Sequence, residues 1–555
     1  MQNFNFQWEG LGGRIAIASA VTCLISFLYK MVKVRLHMYR LKKQGMPMPP
    51  WDPIFGHLRI MPGLAKKCPS DALQSQTFAV LSMQYPGLQN GFYIDVWPFM
   101  CPMFVCTTPP LAVQACQTHN LPKPTDLLAP FINPMSGGDT FFTTNGAVWK
   151  HDRDLFNHAF STTVVVGHVD YIIEEAEIYV GILREHAIKG DTFSMDDLAC
   201  SYMMDVIGNV ALNTRFKYQT GHNPIAAAMR STIELECGRE GENNPLRRWN
   251  IHRLYRQWRN SRIMEHHIGL ELEKRYQEWL QQGETAKARG KSIMDIVIAE
   301  YMKNQPTSQS HTLTLDPKFK SWAIIQIRLF LFVGHDSTAV TIIYSLYLLS
   351  KHPDTLAKIR AEHEQIFSSK AGSVSTQIKA HPEKTNQMPY TTAVIKETLR
   401  LFPPANGLRF GRPGVSLSDT HRTDGRTFPV DDCAVWLVHT AIQRNPGYWP
   451  HAHEFVPDRW LVEPGHELYP PTGGWRPFER GARDCVGQNM AMLAIKITLA
   501  MLVREFDFDS QYEEWDRKNP AAGAVRTMFG ERAYMVAKGA AHPAQGYPCK
   551  VRLAV

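Results

Sequence analysis

Residues 477–490, Pro-Phe-Glu-Arg-Gly-Ala-Arg-Asp-Cys-Val-Gly-Gln-Asn-Met, constrain this chain more than any other stretch, because they place one cysteine in a turn that opens an apolar helix. Beyond Cys485, Met490, Leu493, Ala494 and Ile497 recur at helical spacing. The sulfur is therefore expected near a helix N-terminus, where free amides and the helix dipole favour a thiolate. Gly481 and Gly487 let the backbone turn tightly and come close to a flat ligand. Arg483 can meet an anionic group at the ligand's edge, and Phe478 can pack beside the sulfur and keep water away. A single thiolate in a dry, glycine-lined turn suits haem iron.

This stretch resembles the haem-binding signature of the cytochromes P450, Phe-x-x-Gly-x-Arg-x-Cys-x-Gly. Every fixed position matches: Phe478, Gly481, Arg483, Cys485 and Gly487.

The chain has 555 residues, enough for two to four ordinary domains or for one large one with a sizeable core. No internal repeat or low-complexity linker divides it, so one catalytic domain is expected. Its net charge of +8, from 60 basic against 52 acidic residues without long basic runs, leaves no electrostatic footprint for nucleic acid. A membrane surface or an acidic protein partner suits it. The ten cysteines form no Cys-x-x-Cys pair and no zinc, iron–sulfur or disulfide framework, which points to a reducing compartment. Among the histidines, His151, His158, His335 and His439 share no ligand-like spacing with a second histidine and a carboxylate, and His335 is read as a spacer.

Residues 15–29 are uncharged and mostly apolar, roughly 22 Å as a helix, and Met31 and Val32 extend them if Lys30 snorkels to the interface. Lys33, Arg35, Arg40, Lys42 and Lys43 follow, the reverse of the usual secretory order. The segment reads as an uncleaved signal anchor, with the rest of the chain on the positive, cytosolic side. Pro47, Pro49 and Pro50 then make a stiff connector. The expected organisation is an anchor segment over 1–32, a basic and proline-rich hinge over 33–50 and a catalytic domain over 51–555. Periodicity predicts helices over 164–186, 262–282, 293–302, 322–350, 353–367 and 490–505, short strands over 92–96, 103–107, 433–438 and 532–537, and loops over 119–144 and 305–315.

Further motifs carry the same resemblance. Residues 322–350 are nearly all apolar, but Gln326, Arg328 and the run Gly334-His335-Asp336-Ser337-Thr338 argue for a buried central helix over a second membrane span. The run resembles the oxygen-binding segment of the P450 I helix, with Val333 at the first small position and Ser337 in place of the usual threonine. Gly334 is expected where the helix opens beside the haem, and Asp336 beside Ser337 would relay protons to dioxygen. Serine keeps the hydroxyl and loses the methyl that fixes a threonine rotamer. Glu397 and Arg400 share a helical face ahead of Leu401-Phe402-Pro403-Pro404, resembling the P450 K helix. Arg459, in Phe455-Val456-Pro457-Asp458-Arg459-Trp460, would complete a buried structural triad with them. Trp149 and Arg153 lie four apart on a helix beginning near Asn145 and resemble the C-helix pair that contacts haem propionates. Either Arg409 or Arg412 supplies a further propionate contact.

The resemblance implies the P450 fold, mainly α with a small β-sheet region and a single large catalytic domain. It implies haem b held by Cys485, electrons from NADPH through NADPH-cytochrome P450 reductase, and a contribution from cytochrome b5. Monooxygenation of a lipophilic small molecule follows, with Asp336 and Ser337 catalytic. Lys150, Arg476 and Arg480 are candidate positive contacts for the reductase. The distal pocket is expected to be lined by the loop before Trp149 and by residues 201–242, 325–338, 404–412 and 527–530. The general cast is similar to fungal microsomal P450s of secondary metabolism, single-pass proteins of the endoplasmic reticulum membrane. The alternative is a haem-thiolate isomerase or dehydratase acting on a peroxide without a reductase.

Overall fold

The apolar run after Asp316 forms the helix Pro317–Lys351, whose start is set by the Asp316 carboxylate accepting the Phe319 N–H at 2.9 Å, with Pro317 at the first position. It is apolar all round and buried over most of its length, as expected of a core helix. Across it packs the helix Met195–Leu212, capped by Ser194 and ended by Asn213 in the left-handed region at φ 53°. In this computed structural model, which describes residues 5–237, 250–282, 292–303, 314–367, 373–419, 426–520 and 524–554, these two helices form the heart of the main apolar core. Val169–Lys189, Pro389–Leu401 and Gln488–Leu502 complete it.

A four-stranded sheet lies beside the helices. Its order is Phe92–Ile94, Met103–Cys106, Ala434–Leu437, Gly407–Phe410, with the middle pair parallel and the outer pairs antiparallel. Side chains alternate faces along each strand, so Phe104 and Cys106 join one apolar cluster while Met103 and Val105 join another. A hairpin of Met535–Lys538 and Ala540–Pro543 turns at Gly539 and reaches the central helix. The predicted helices and strands are present, most with boundaries shifted by a few residues, but the helix expected over 262–282 begins earlier, at Ile251, and 164–186 is split into Thr162–Val166 and Val169–Lys189.

Two expectations change, and a third falls largely on undescribed residues. The region 119–144 is not all loop: it holds the helix Thr125–Ser136, hidden from sequence reading by Pro130 and Pro134 in its interior. Of the second predicted loop, 305–315, the stretch 305–313 lies outside the described residues. The central helix does not open at Gly334 but runs unbroken; a Cβ there would lie 2.6 Å from Ile207 Cδ1, so the glycine serves the crossing of the two core helices.

Two described helices are long and apolar enough to cross a membrane, the largely buried central one and the exposed N-terminal one, Gly12–Lys43. The N-terminal helix continues through 33–43, and its last turns pack on the sheet through buried Met38 and Leu41. Arg35 pairs with buried Asp95, which also accepts from the Trp51 indole at 3.1 Å.

Candidate functional site

Cys485 lies just before the helix Gln488–Leu502, capped by Gly487, and its own N–H donates to the Phe478 carbonyl at 2.8 Å. Gly481 is at φ 94°, and a Cβ would meet the Cys116 carbonyl oxygen at 2.6 Å, so only glycine closes this turn. Gly487 has an ordinary φ of −84°; a Cβ there would stand 3.9 Å from both the Cys485 sulfur and Phe160 Cε1. Phe478 is half-buried and meets Trp475 edge-on at 5.8 Å. Cys485 is exposed although protein surrounds it, which makes it part of a cavity wall. That enclosure pushes its thiol up, and the Gly487 amide and Arg153 pull it down by less. The helix terminus alone therefore does not produce the thiolate; a bound cation has to.

Around this turn the chain gathers positive charge, partly buried and only partly paired with carboxylates. Trp149 and Arg153 stand on the helix Gly146–Ala159, whose Asn145 is diverted from capping. Its amide holds the Lys123 backbone and accepts from Arg483 Nη2 at 2.7 Å. Arg483 lies 4.2 Å from the centroid of the Trp149 ring, and Arg153 binds the carboxylate and carbonyl of Asp484. Arg409, on the strand Gly407–Phe410, is buried with its Nε unpartnered. Burial, then the neighbouring Arg409 and Arg153, holds the Arg483 guanidinium down at about 10, and burial with Arg409 and Arg483 nearby lowers the Lys123 ammonium. The Glu479 carboxylate, paired with Arg476, draws the Lys123 ammonium the other way by less, so an anion placed here would meet cations that make no ion pair of their own. Arg412, by contrast, is exposed and donates to the His119 carbonyl, so of the two candidate arginines Arg409 belongs to the cluster. Lys123 was missed from sequence, because a lysine in a polar loop gives no sign of burial. A dicarboxylate at the edge of a flat, metal-bearing ligand fits this ring of donors beside an open cysteine, as haem b does.

On the central helix, Val333 is exposed and Ser337 half-exposed in an otherwise buried element. Ser337 Oγ donates to the Val333 carbonyl at 2.9 Å. Asp336 does not stand beside it. Adjacent helical residues face about 100° apart, and Asp336 turns to the hairpin, accepting from the Ala540 N–H and from His542 Nε2, the latter at 2.7 Å. His335 Nδ1 donates locally to the Leu331 carbonyl at 2.7 Å. The expected lining by 527–530 is also displaced: Phe529 stacks on His453 and packs in the sheet-side core, while Gly539 is the turn that touches Asp336 and Phe332.

Glu397, Arg400 and Arg459 form the expected triad, all fully buried. Arg400 holds Glu397 through two bonds of 2.9 and 2.8 Å, and Arg459 through one of 3.0 Å. The Val456 N–H and the Trp460 indole complete the carboxylate's shell. Of the three proposed docking cations, Lys150 and Arg480 are exposed, but Arg476 is buried and spent on Glu479 at 2.5 Å.

Comparison with known proteins agrees with this geometry. The sequence model described as cytochrome P450 matches residues 74–528. The chain is 35% identical over 549 residues to cytochrome P450 monooxygenase polC of Polytolypa hystricis, covering 97% of this chain and 96% of that protein. It is 32% identical to cytochrome P450 monooxygenase acrF of Aspergillus aculeatus, over 87% of this chain and 98% of the other. In three dimensions it is similar to the crystal structure of the cytochrome P450DA heme domain, with a TM-score of 0.68, 19% identity, and coverage of 92% of this chain and 97% of that one. The chain belongs to the cytochrome P450 family and is a monooxygenase, an oxidoreductase.

Proposed function

We propose that the protein inserts one oxygen atom of dioxygen into a lipophilic small molecule, by hydroxylation, epoxidation or oxidative rearrangement, as a haem-thiolate enzyme of fungal secondary metabolism. The observation that carries the reading is the cluster of Lys123, Arg409 and Arg483, which lack ion pairs of their own and include the unpartnered Arg409 Nε, beside an exposed cysteine. Cys485 would hold the iron of haem b, and Trp149, Arg153, Arg409 and Arg483, joined by Lys123, would hold its carboxylates, with Phe478 and Gly487 bounding the sulfur. The haem, when bound, supplies the activation of oxygen. Ser337 presents a hydroxyl on the cavity side and holds a proton there, while Asp336 stands in reserve at the hairpin. Glu397, Arg400 and Arg459 keep the core behind the cysteine turn rigid.

Electrons would come from NADPH through its P450 reductase, with cytochrome b5 as a second donor, docking near exposed Lys150 and Arg480. The N-terminal helix would anchor the protein in the endoplasmic reticulum membrane, and its exposed apolar surface supports this. The test is a screen of lipophilic compounds for a spin-state change, followed by turnover of the responders with reductase, NADPH and 18O-labelled dioxygen. One labelled oxygen atom in the product is expected. Conversion of an organic hydroperoxide with neither NADPH nor reductase would instead establish the isomerase or dehydratase chemistry.

A further inference from the structure

His542, at the end of the hairpin, lies between two carboxylates. Its Nδ1 is 2.5 Å from Asp196 Oδ1 and its Nε2 is 2.7 Å from Asp336 Oδ1, and all three residues are buried. Asp196 belongs to the first turn of the helix Met195–Leu212 and also accepts from Lys538 Nζ at 3.0 Å. Three elements therefore meet at one imidazole. The charged groups facing it are Asp196, Asp336 and Lys538, with Arg230 and His335 acting at longer range and the Cys200 thiol donating to Asp196 at 3.8 Å. Asp196, Cys200 and His542 are close enough to hold a metal ion. Yet both ring nitrogens already meet carboxylates and a lysine ammonium occupies Asp196, so protons fill this cluster.

We infer that His542 is a positioning residue for proton supply: as an imidazolium between Asp196 and Asp336 it keeps the Asp336 carboxylate ionised and tied to the hairpin, away from the cavity that Ser337 faces. This rests on the monooxygenase reading of the site. Both carboxylates raise His542 to about 10 against the burial that would lower it. The turn at Gly539 suits the same contact: at φ 99°, and with Asp336 Oδ2 too near for a Cβ, a side chain there would be strained and would crowd the carboxylate. Without the cation, a buried Asp336 takes up a proton and becomes a mobile acid one residue from Ser337.

The consequence is measurable without a known substrate. NADPH, with dioxygen and one solvent proton, gives hydrogen peroxide; two NADPH, with dioxygen and two solvent protons, give two waters. Proton delivery decides the split. The haem-loaded full chain in phospholipid vesicles, with reductase and NADPH, is assayed for NADPH, dioxygen and peroxide. In His542→Gln the peroxide share of the dioxygen consumed is expected to rise at least about threefold, and in His542→Lys, which restores charge without the ring, to return toward the unmodified value. A merely structural histidine would lower the yield of protein with a thiolate spectrum and leave this share unchanged in both variants. The second readout needs no turnover: in carbon-monoxide-bound, 15N-histidine-labelled protein, the signal lost in His542→Gln is expected to stay imidazolium from pH 6 to 9, and in Asp196→Asn to titrate within that range. A neutral His542 at pH 7 overturns the inference. An absence of NADPH-driven dioxygen consumption overturns the monooxygenase reading and leaves the titration to judge His542.

Discussion

At the scale of single residues the site is a problem of charge. Arg409 and Lys123 are buried and Arg483 is half-buried beside them, and none of the three makes an ion pair with a carboxylate among the described residues, an arrangement that a bound anion would relieve. Charge-assisted hydrogen bonds contribute ~1.5–3 kcal/mol each. Arg409→Leu is therefore expected to weaken haem retention roughly 10- to 100-fold, read as haem lost to a scavenger protein, while Arg412→Leu, at the surface, changes it little. Stability also has a pH signature. His542 binds its proton more tightly folded than unfolded, so its contribution is full below the ordinary histidine pKa and disappears as pH rises through about 10. Asp196 and Asp336 are depressed, so their share is present above the ordinary carboxylate range and lost on acidification. Thermal melts are expected to show a plateau between the ordinary carboxylate and histidine ranges that falls on both sides, and Asp196→Asn should make the alkaline fall end at lower pH. Cys485, Trp149, Arg153 and Arg483 were legible because their motifs are local. His542 and Asp196 were not, since 346 residues separate them and only the fold brings them together.

At the scale of elements, packing sets the roles of the glycines and the buried ion pairs. Gly334 lets the two core helices cross at Ile207, so Gly334→Ala is expected to destabilise by ~1–3 kcal/mol, and Ile207→Ala in the same chain should recover part of it in denaturant titrations. Glu397→Gln leaves Arg400 and Arg459 buried without their counter-charge, a loss of ~3–5 kcal/mol, and a protein that fails to retain haem is the expected outcome. The helix Ile293–Lys303 is readable from its periodicity, whereas of Ile251–Gln282 only the part from 262 onward is. Thr125–Ser136 was hidden by internal prolines, and the hairpin turn at Gly539 by having no motif of its own, so residues 527–530 were taken for it.

At the scale of the whole molecule, the N-terminal helix is both a candidate membrane segment and part of the fold. Its end carries Arg35, paired with Asp95, and Met38 and Leu41 in the core beside the sheet. Removing residues 1–32 is expected to free the protein from vesicles with its melting temperature nearly unchanged. Asp95→Ala should instead lower stability by ~3–5 kcal/mol in either form, because Arg35 is then buried unpaired. A flexible hinge over 33–43 would make that substitution harmless. The basic run and the prolines were visible in the sequence, but the docking of the helix on the sheet depends on contacts with residues far along the chain, such as Cys433 beside His37. All of these scales converge on the sulfur of Cys485. The most direct measurement is the spectrum of the purified, reduced protein under carbon monoxide. The strongly red-shifted Soret band of thiolate-ligated haem is expected in the unmodified chain and absent in Cys485→Ala; a folded, haem-loaded protein without that band, or a Cys485→Ala variant that keeps it, contradicts the account.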